Sequence, residues 1–252
     1  MSSLPNVHVS THPSLRTKLS QLRSQTADSR QVKALVNDIS LILACEALAK
    51  NLVTGPGPKV KIPPPQSALA VPKHDSDADG QDATPLGFEY TATTAHPQTI
   101  CIVPILRSGL GMVDAVQTIL PDPVPVHHLG MYREPSTLDP VEYYNNLPHH
   151  SPQSSAENST ASSLAVLVDP VIATGGTCAA AIQTLREWGA KKVLVMSIIG
   201  AEEGVKRAAE EWPEGTELWI AGVDAELTPD GMLKPGLGDI GDRLFLTTAK
   251  QA

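Results

Sequence analysis

Residues 164–200, reading LAVLVDPVIATGGTCAAAIQTLREWGAKKVLVMSIIG, constrain the fold more than any other part of this 252-residue chain. An apolar run from Leu164 to Val168 ends on Asp169 and Pro170. A small-residue turn, Thr174-Gly175-Gly176-Thr177, leads into an alanine-rich helical pattern over 177–190, closed by Gly189. A second apolar run fills 191–200. Strands joined through a helix pair in parallel, and strands with no polar alternation are buried on both faces. The same alternation recurs on either side. Residues 99–106, 124–132 and 216–223 read as strands, and 109–120 and 201–212 as helices. Within 124–132, Val124, Val126 and His128 alternate. The expected class is therefore α/β, a parallel sheet flanked by helices.

The flanks read differently. Val32, Leu35, Val36, Ile39, Ile42 and Leu43 recur at helical spacing, so 12–54 is expected to be helical with Ser29 as a cap. Residues 55–98 are rich in proline, glycine and acid over their first half, and 149–163 in serine. Both are expected to be surface insertions without regular structure. Asp230-Gly231 signals a hairpin turn near the end of the chain. One domain over 1–252 is expected.

Composition narrows the function classes. The net charge is −8, which argues against coating nucleic acid or lying on a membrane surface. No apolar run is long enough to cross a bilayer. Cys45, Cys101 and Cys178 share no metal-binding spacing, so neither a zinc site nor a disulfide framework is expected. The start, MSSLPNVHVSTHPS, has no apolar signal core, and a cytoplasmic location is the expectation. Without such a signal, the Asn158-Ser159-Thr160 sequon reads as a chance match.

In open α/β sheets ligands bind at the carboxyl ends of the strands. Asp169 and the glycine turn fall at such an end. A helix N-terminus offers unpaired N–H groups and partial positive charge, and glycine lets the backbone approach a phosphate closely. A carboxylate beside that phosphate needs its own task, such as holding sugar hydroxyls. Pro170 favours an extended Asp169. Arg107, after the strand ending at Leu106, has the fork geometry for a diphosphate. Other phosphate motifs fit less well. No Walker A sequence is present, and GLGMVD at Gly109 carries Asp114 where a dinucleotide fingerprint needs glycine. GLGDIG at Gly236 matches that fingerprint, but the chain is too short beyond Gly241 for the βαβ unit it requires. His127 and His128 lie inside a strand pattern and read as packing residues. Cys178, just inside the helix, also reads as structural.

The acid followed by ATGGT resembles the phosphoribosyl diphosphate (PRPP) motif of type I phosphoribosyltransferases. Pro170 stands where most of that family has a second acid, as in its uracil phosphoribosyltransferase branch. VPILRSGLGMVDAV (103–116), GMYREPSTLDPVEYYNNLP (130–148) and KPGLGDIGDRLF (234–245) are similar to that branch's diphosphate segment, flexible loop and base-binding hood. HPSLRTKLSQLR and CEALAKNL in the N-terminal helical extension also fit. The resemblance implies a type I phosphoribosyltransferase-like fold with a C-terminal hood over 224–245, making UMP and diphosphate from uracil and PRPP. It implies PRPP contacts from Arg107, Arg133, Asp169, Pro170, Val171, Ile172, Ala173, Thr174, Gly175, Gly176, Thr177 and Asp239. It implies a uracil pocket from Leu233, Gly238, Asp239 and Ile240, with Asp169 and Asp239 as the catalytic carboxylates. Mg²⁺ would be held mainly by substrate oxygens, with no dedicated protein ligand set. The partners implied are the two substrates and further copies of the chain, as a homodimer or larger homo-oligomer. Two other readings stand beside this one: a regulatory homologue that binds PRPP or UMP without turnover, and a phosphoribosyltransferase for another base.

Overall fold

The computed structural model describes residues 4–60, 84–134, 139–148 and 162–247. Most of the 149–163 stretch, its sequon, and 61–83 of the 55–98 stretch lie outside the described residues. The chain divides into two compact units, Leu52–Gln98 and the remainder.

The larger unit opens with strand β1 (Val7–Val9) and helices α1 (Pro13–Leu22) and α2 (Ser29–Asn51). The smaller unit contains β2 (Val53–Val60) and β3 (Tyr90–His96). Then come β4 (Ile100–Leu106), α3 (Leu110–Ile119), β5 (Leu129–Arg133) and β6 (Pro140–Asn145). The sequence-read βαβ unit follows as β7 (Leu164–Val168), a short β8 (Val171–Ile172), α4 (Gly176–Trp188) and β9 (Val193–Ala201). Helix α5 (Glu202–Glu211), β10 (Thr216–Asp224), the hairpin β11 (Glu226–Leu227) and β12 (Leu233–Lys234), and α6 (Ile240–Phe245) complete it.

The main sheet runs β1-β10-β9-β7-β4-β5-β6, with β8 paired to β9. Every pairing in it is parallel except β5 with β6. One face carries Cys101, Val103, Ala165, Leu167, Val193 and Val195, packed with Ile182 and Leu185 of α4 and Val205 and Ala208 of α5 in one cluster. The alternate residues Ile102, Val166, Val168, Leu194 and Met196 are equally buried and must point to the other face. The fully buried Val32, Val36, Ile39 and Leu43 of α2 and Met112 and Val116 of α3 lie outside the first cluster. Each such side chain contributes about 1.5–3 kcal/mol of transfer free energy, so the double burial read from the apolar runs is what holds the layers together. Among the described residues no helix is long and apolar enough to cross a membrane.

Several expectations change, among them the strand read over 124–132, which begins only at Leu129. The helical region is two helices, broken at residues 23–28, and it ends at Asn51. Asp28 rather than Ser29 caps α2: its carboxylate accepts from the Gln31 N–H at 2.8 Å, and the Gln31 amide oxygen accepts from the Asp28 N–H at 3.0 Å. This reciprocal pair satisfies two donors at once, while Ser29 Oγ donates to the Leu244 carbonyl. The ends of the 55–98 stretch are paired strands rather than loop. Proline is tolerated in a two-stranded ribbon where its missing N–H faces away from the partner or a bulge intervenes. Here the register shifts between Pro56 and Lys59, opposite a β-branched strand containing Thr91, Thr93 and Thr94.

The break between α1 and α2 has a structural use. Arg23 donates from Nη1 and Nη2 to the two oxygens of Asp224 at 2.9 and 2.6 Å, and from Nη1 to the Gly236 carbonyl at 2.8 Å. The Gly236 N–H donates back to Asp224 at 2.8 Å. Arg243 reaches the carbonyls of Leu22, Ser24 and Leu237. The segment after β12 is thereby tied to the end of α1. Burial by itself would raise the Asp224 carboxyl, but the Arg23 guanidinium and the Gly236 N–H outweigh it and hold it below the ordinary 3.8. A carboxyl depressed in the folded state contributes stability above its unfolded pKa, lost as pH falls through the folded value. Arg23→Ala should therefore cost about 3 kcal/mol at pH 7. In denaturant titrations the gap to the wild type should close as pH drops below about 3.8. A gap that is the same at pH 7 and in acid would contradict the pairing.

Candidate functional site

Strands β4 and β7 are parallel neighbours, in register from Ile100 with Leu164 to Pro104 with Val168. From β4 the chain passes through α3 to β5 on one side, and from β7 through α4 to β9 on the other. Such a point of divergence leaves a crevice at the carboxyl edge of the sheet. A cavity of about 550 Å³ opens there.

Three segments carry the sequence-read residues that line it. The turn after β4 contributes Arg107 and Ser108. The turn after β7 contributes Asp169, Val171, Ile172, Ala173, Thr174, Gly175 and Thr177. The segment after β11 contributes Leu233, Gly238, Asp239 and Ile240. Two of the sequence-read residues, Pro170 and Gly176, are not among the lining residues. Pro170 is buried, and its carbonyl accepts from the Ile198 and Ile199 N–H groups, so it anchors the turn to β9. Gly176 is the first residue of α4, and a Cβ there would lie 3.3 Å from Arg207 Nη1. Arg133 ends β5 opposite Pro140.

The phosphate-type turn is shaped by two glycines in different elements. Gly175 has φ of 78°, open to glycine at little steric cost. A Cβ on Gly175 would sit 2.2 Å from the Gly204 carbonyl oxygen, and one on Gly204 would sit 1.9 Å from the Ala173 carbonyl oxygen. The turn is pressed backbone to backbone against the first residues of α5. No side chain caps the start of α4, so its first N–H groups are left open to an acceptor from outside the helix.

Asp169 is almost fully buried, at 8% exposure, and its Oδ1 accepts from Ser108 Oγ at 3.1 Å. Burial, and then the Asp169 charge, push the Cys178 thiol strongly up. Arg107 is about half exposed, with Nη2 3.7 Å from Asp242 Oδ1. Asp239 caps α6, its Oδ1 accepting from the Asp242 N–H at 3.0 Å. Gly238 has φ of 71°, and a Cβ there would lie 3.9 Å from Arg243 Cδ. His127 lies away from the cavity lining. It packs edge-on to Trp188 at 5.9 Å, and burial, with His128 beside it, lowers its pKa. Among the described residues no group of three or more His, Cys, Asp and Glu side chains could hold a metal.

Several contributors carry little sequence signal. Ser108 could be found through its place beside Arg107. Tyr132 and Tyr143 also line the cavity, with ring centroids 6.2 Å apart, because β6 folds back on β5. Nothing in the pattern of α5 marks Gly204. Gly204→Ala should lower stability by about 1–3 kcal/mol through the displaced Ala173 backbone, measured by urea unfolding. Wild-type stability in that variant would contradict the contact between the turn and α5.

Comparison with known proteins agrees with this geometry. The family model described as uracil phosphoribosyltransferase matches residues 68–247. The Schizosaccharomyces pombe protein urg2 is 34% identical over 249 residues, covering 99% of this chain and 94% of its own. The uracil phosphoribosyltransferase of Finegoldia magna is 35% identical over 244 residues, covering 97% of this chain and 100% of its own. The solved structure of the AQ2163 protein from Aquifex aeolicus superposes with a TM-score of 0.76 at 27% identity, covering 96% of this chain and 98% of that one. Family match, near-complete coverage by relatives and a sheet whose crevice joins a carboxylate to a glycine turn lead to one conclusion: the chain belongs to the uracil phosphoribosyltransferase family.

Proposed function

We propose that this chain joins uracil to the ribosyl group of PRPP, releasing diphosphate and giving UMP, a pyrimidine-salvage reaction. The observation that carries the reading is the cavity at the sheet's switch point. It is lined by Asp169, by the Ala173–Thr177 turn and by the Leu233–Ile240 segment.

In this reading the Ala173–Thr177 backbone holds the 5′-phosphate, with the Thr174 and Thr177 hydroxyls as added donors. Asp169 accepts from the ribose 2′- and 3′-hydroxyls. At the anomeric carbon the bond to the diphosphate oxygen breaks and a bond to uracil N1 forms, through an oxocarbenium-like transition state, while the N1 proton passes to the departing diphosphate or to water. Negative charge grows on the leaving diphosphate. Arg107 and Arg133 are assigned to offset it, and stabilising developing charge is commonly the largest catalytic term. Leu233, Gly238, Asp239 and Ile240 are assigned to the base. Pro170 and Gly176 are assigned to shaping the PRPP turn from behind, since neither lines the cavity.

A divalent metal requirement fits the family, and we assign Mg²⁺. Asp169 and Asp239 are hard oxygen donors on the same cavity. With no larger ligand cluster among the described residues, PRPP oxygens and water would complete its octahedral shell. The ion supplies positive charge to the diphosphate. The same reading assigns small-molecule substrates without nucleic-acid or membrane partners, a homo-oligomer, a single domain and the cytoplasm.

The test is purified protein with PRPP, Mg²⁺ and either uracil or cytosine. Uracil presents an N3–H between two carbonyls, whereas cytosine presents a bare N3 and an amino group. Backbone groups paired to one edge meet the other donor against donor, and such sites reject the wrong analogue by roughly 10⁴-fold. UMP from uracil and almost none of the cytosine product is expected. Equal kcat/KM for the two bases, or binding of PRPP without turnover, would overturn the proposal.

A further inference from the structure

The proposed reaction gives no task to Ser108, a polar side chain of the cavity. Ser108 lies between Arg107 and the start of α3, lines the cavity, and is half-buried. Its hydroxyl donates to Asp169 Oδ1 across the divergence between β4 and β7.

Its position is fixed by the residue after it. A Cβ on Gly109 would sit 2.4 Å from the Val168 carbonyl oxygen and 2.7 Å from that of Ile105. The Gly109 N–H donates to the Ile105 carbonyl at 2.9 Å. The turn after β4 is therefore wedged against the last residue of β7, one residue before Asp169. The Asp169 N–H donates to the Met196 carbonyl at 3.2 Å, so its backbone is pinned to β9 as well. With both backbones held, the Ser108 hydroxyl acts on the Asp169 carboxylate itself.

We infer that Ser108 is a positioning residue: its hydroxyl orients the Asp169 carboxylate toward the ribose diol of PRPP, linking the diphosphate-binding turn to the ribose-binding one. The inference rests on the proposed PRPP site. A carboxylate that must accept from two adjacent hydroxyls works in one plane and orientation. A hydrogen bond from a fixed donor removes the alternatives before the substrate arrives. Hydrogen bonds to charged groups are stronger than neutral ones, so loss of this one should be readable in kinetics.

The experiment compares Ser108→Ala, Ser108→Thr and wild type by steady-state kinetics, and by inhibition with UMP and 2′-deoxy-UMP. In Ser108→Ala the KM for PRPP should rise about 10-fold, with the KM for uracil and the melting temperature nearly unchanged. The preference for UMP over 2′-deoxy-UMP should shrink, because the oriented carboxylate is what reads the missing hydroxyl. Ser108→Thr, which keeps the donor, should restore both. Should the alanine variant fold poorly, Ser108→Cys with its weaker donor gives the same comparison. An unchanged ratio of UMP to 2′-deoxy-UMP inhibition in an active Ser108→Ala enzyme would overturn the inference alone. A wild-type protein that forms no UMP would overturn the reading beneath it.

Discussion

Strands β4 and β7 lie side by side and run the same way, yet the chain leaves them in opposite directions. Everything at the cavity depends on that divergence. Parallel pairing puts both carboxyl ends at one edge, and the opposed crossovers keep either following helix from covering the gap. Arg107 and Asp169 are 62 residues apart in sequence but arrive as neighbours because the strands before them are paired. The Ser108 hydroxyl spans the gap at 3.1 Å. A substrate with a sugar between two anionic groups suits such a place, since each strand end supplies a different kind of contact.

The third wall comes from the end of the chain, and it is secured from the beginning. Asp224 leaves β10 and is buried under Arg23, and both grip Gly236 through its N–H and its carbonyl. Arg243 adds carbonyl contacts on either side of that clamp. Between β12 and α6 the stretch carrying Gly238 has no regular structure, so these charged hydrogen bonds do what a packed helix does elsewhere. Paired glycines play the matching part at the turn before α4. Gly175 and Gly204 let two backbones meet where any side chain would separate them.

Much of this is legible in the sequence, for physical reasons. The βαβ alternation fixes a parallel sheet because continuous apolar strands have no solvent face to show. Asp169 and the glycine turn are visible because an acid and two glycines are out of place in a core element. What stays hidden depends on partners distant in sequence. Arg23 and Asp224 are ordinary surface residues until the fold brings them together. Asp28 wins the α2 cap over Ser29 through Gln31, a contest between neighbours that helical periodicity does not resolve. The β2–β3 ribbon is masked by the prolines at its bulge. Short strands such as β1, Val7–Val9, have too few residues to show a period and exist because β10 offers an open edge.

The central claim is that one cavity holds the 5′-phosphate on the α4 turn and the base against the segment after β12. A crystal structure of the protein with UMP tests it most directly. The account requires the phosphate within hydrogen-bond reach of the Ala173–Thr177 amides, the ribose diol on Asp169, and the uracil edge on the backbone between Leu233 and Ile240. A nucleotide bound outside this crevice, or one with its base on the α4 turn, would contradict it.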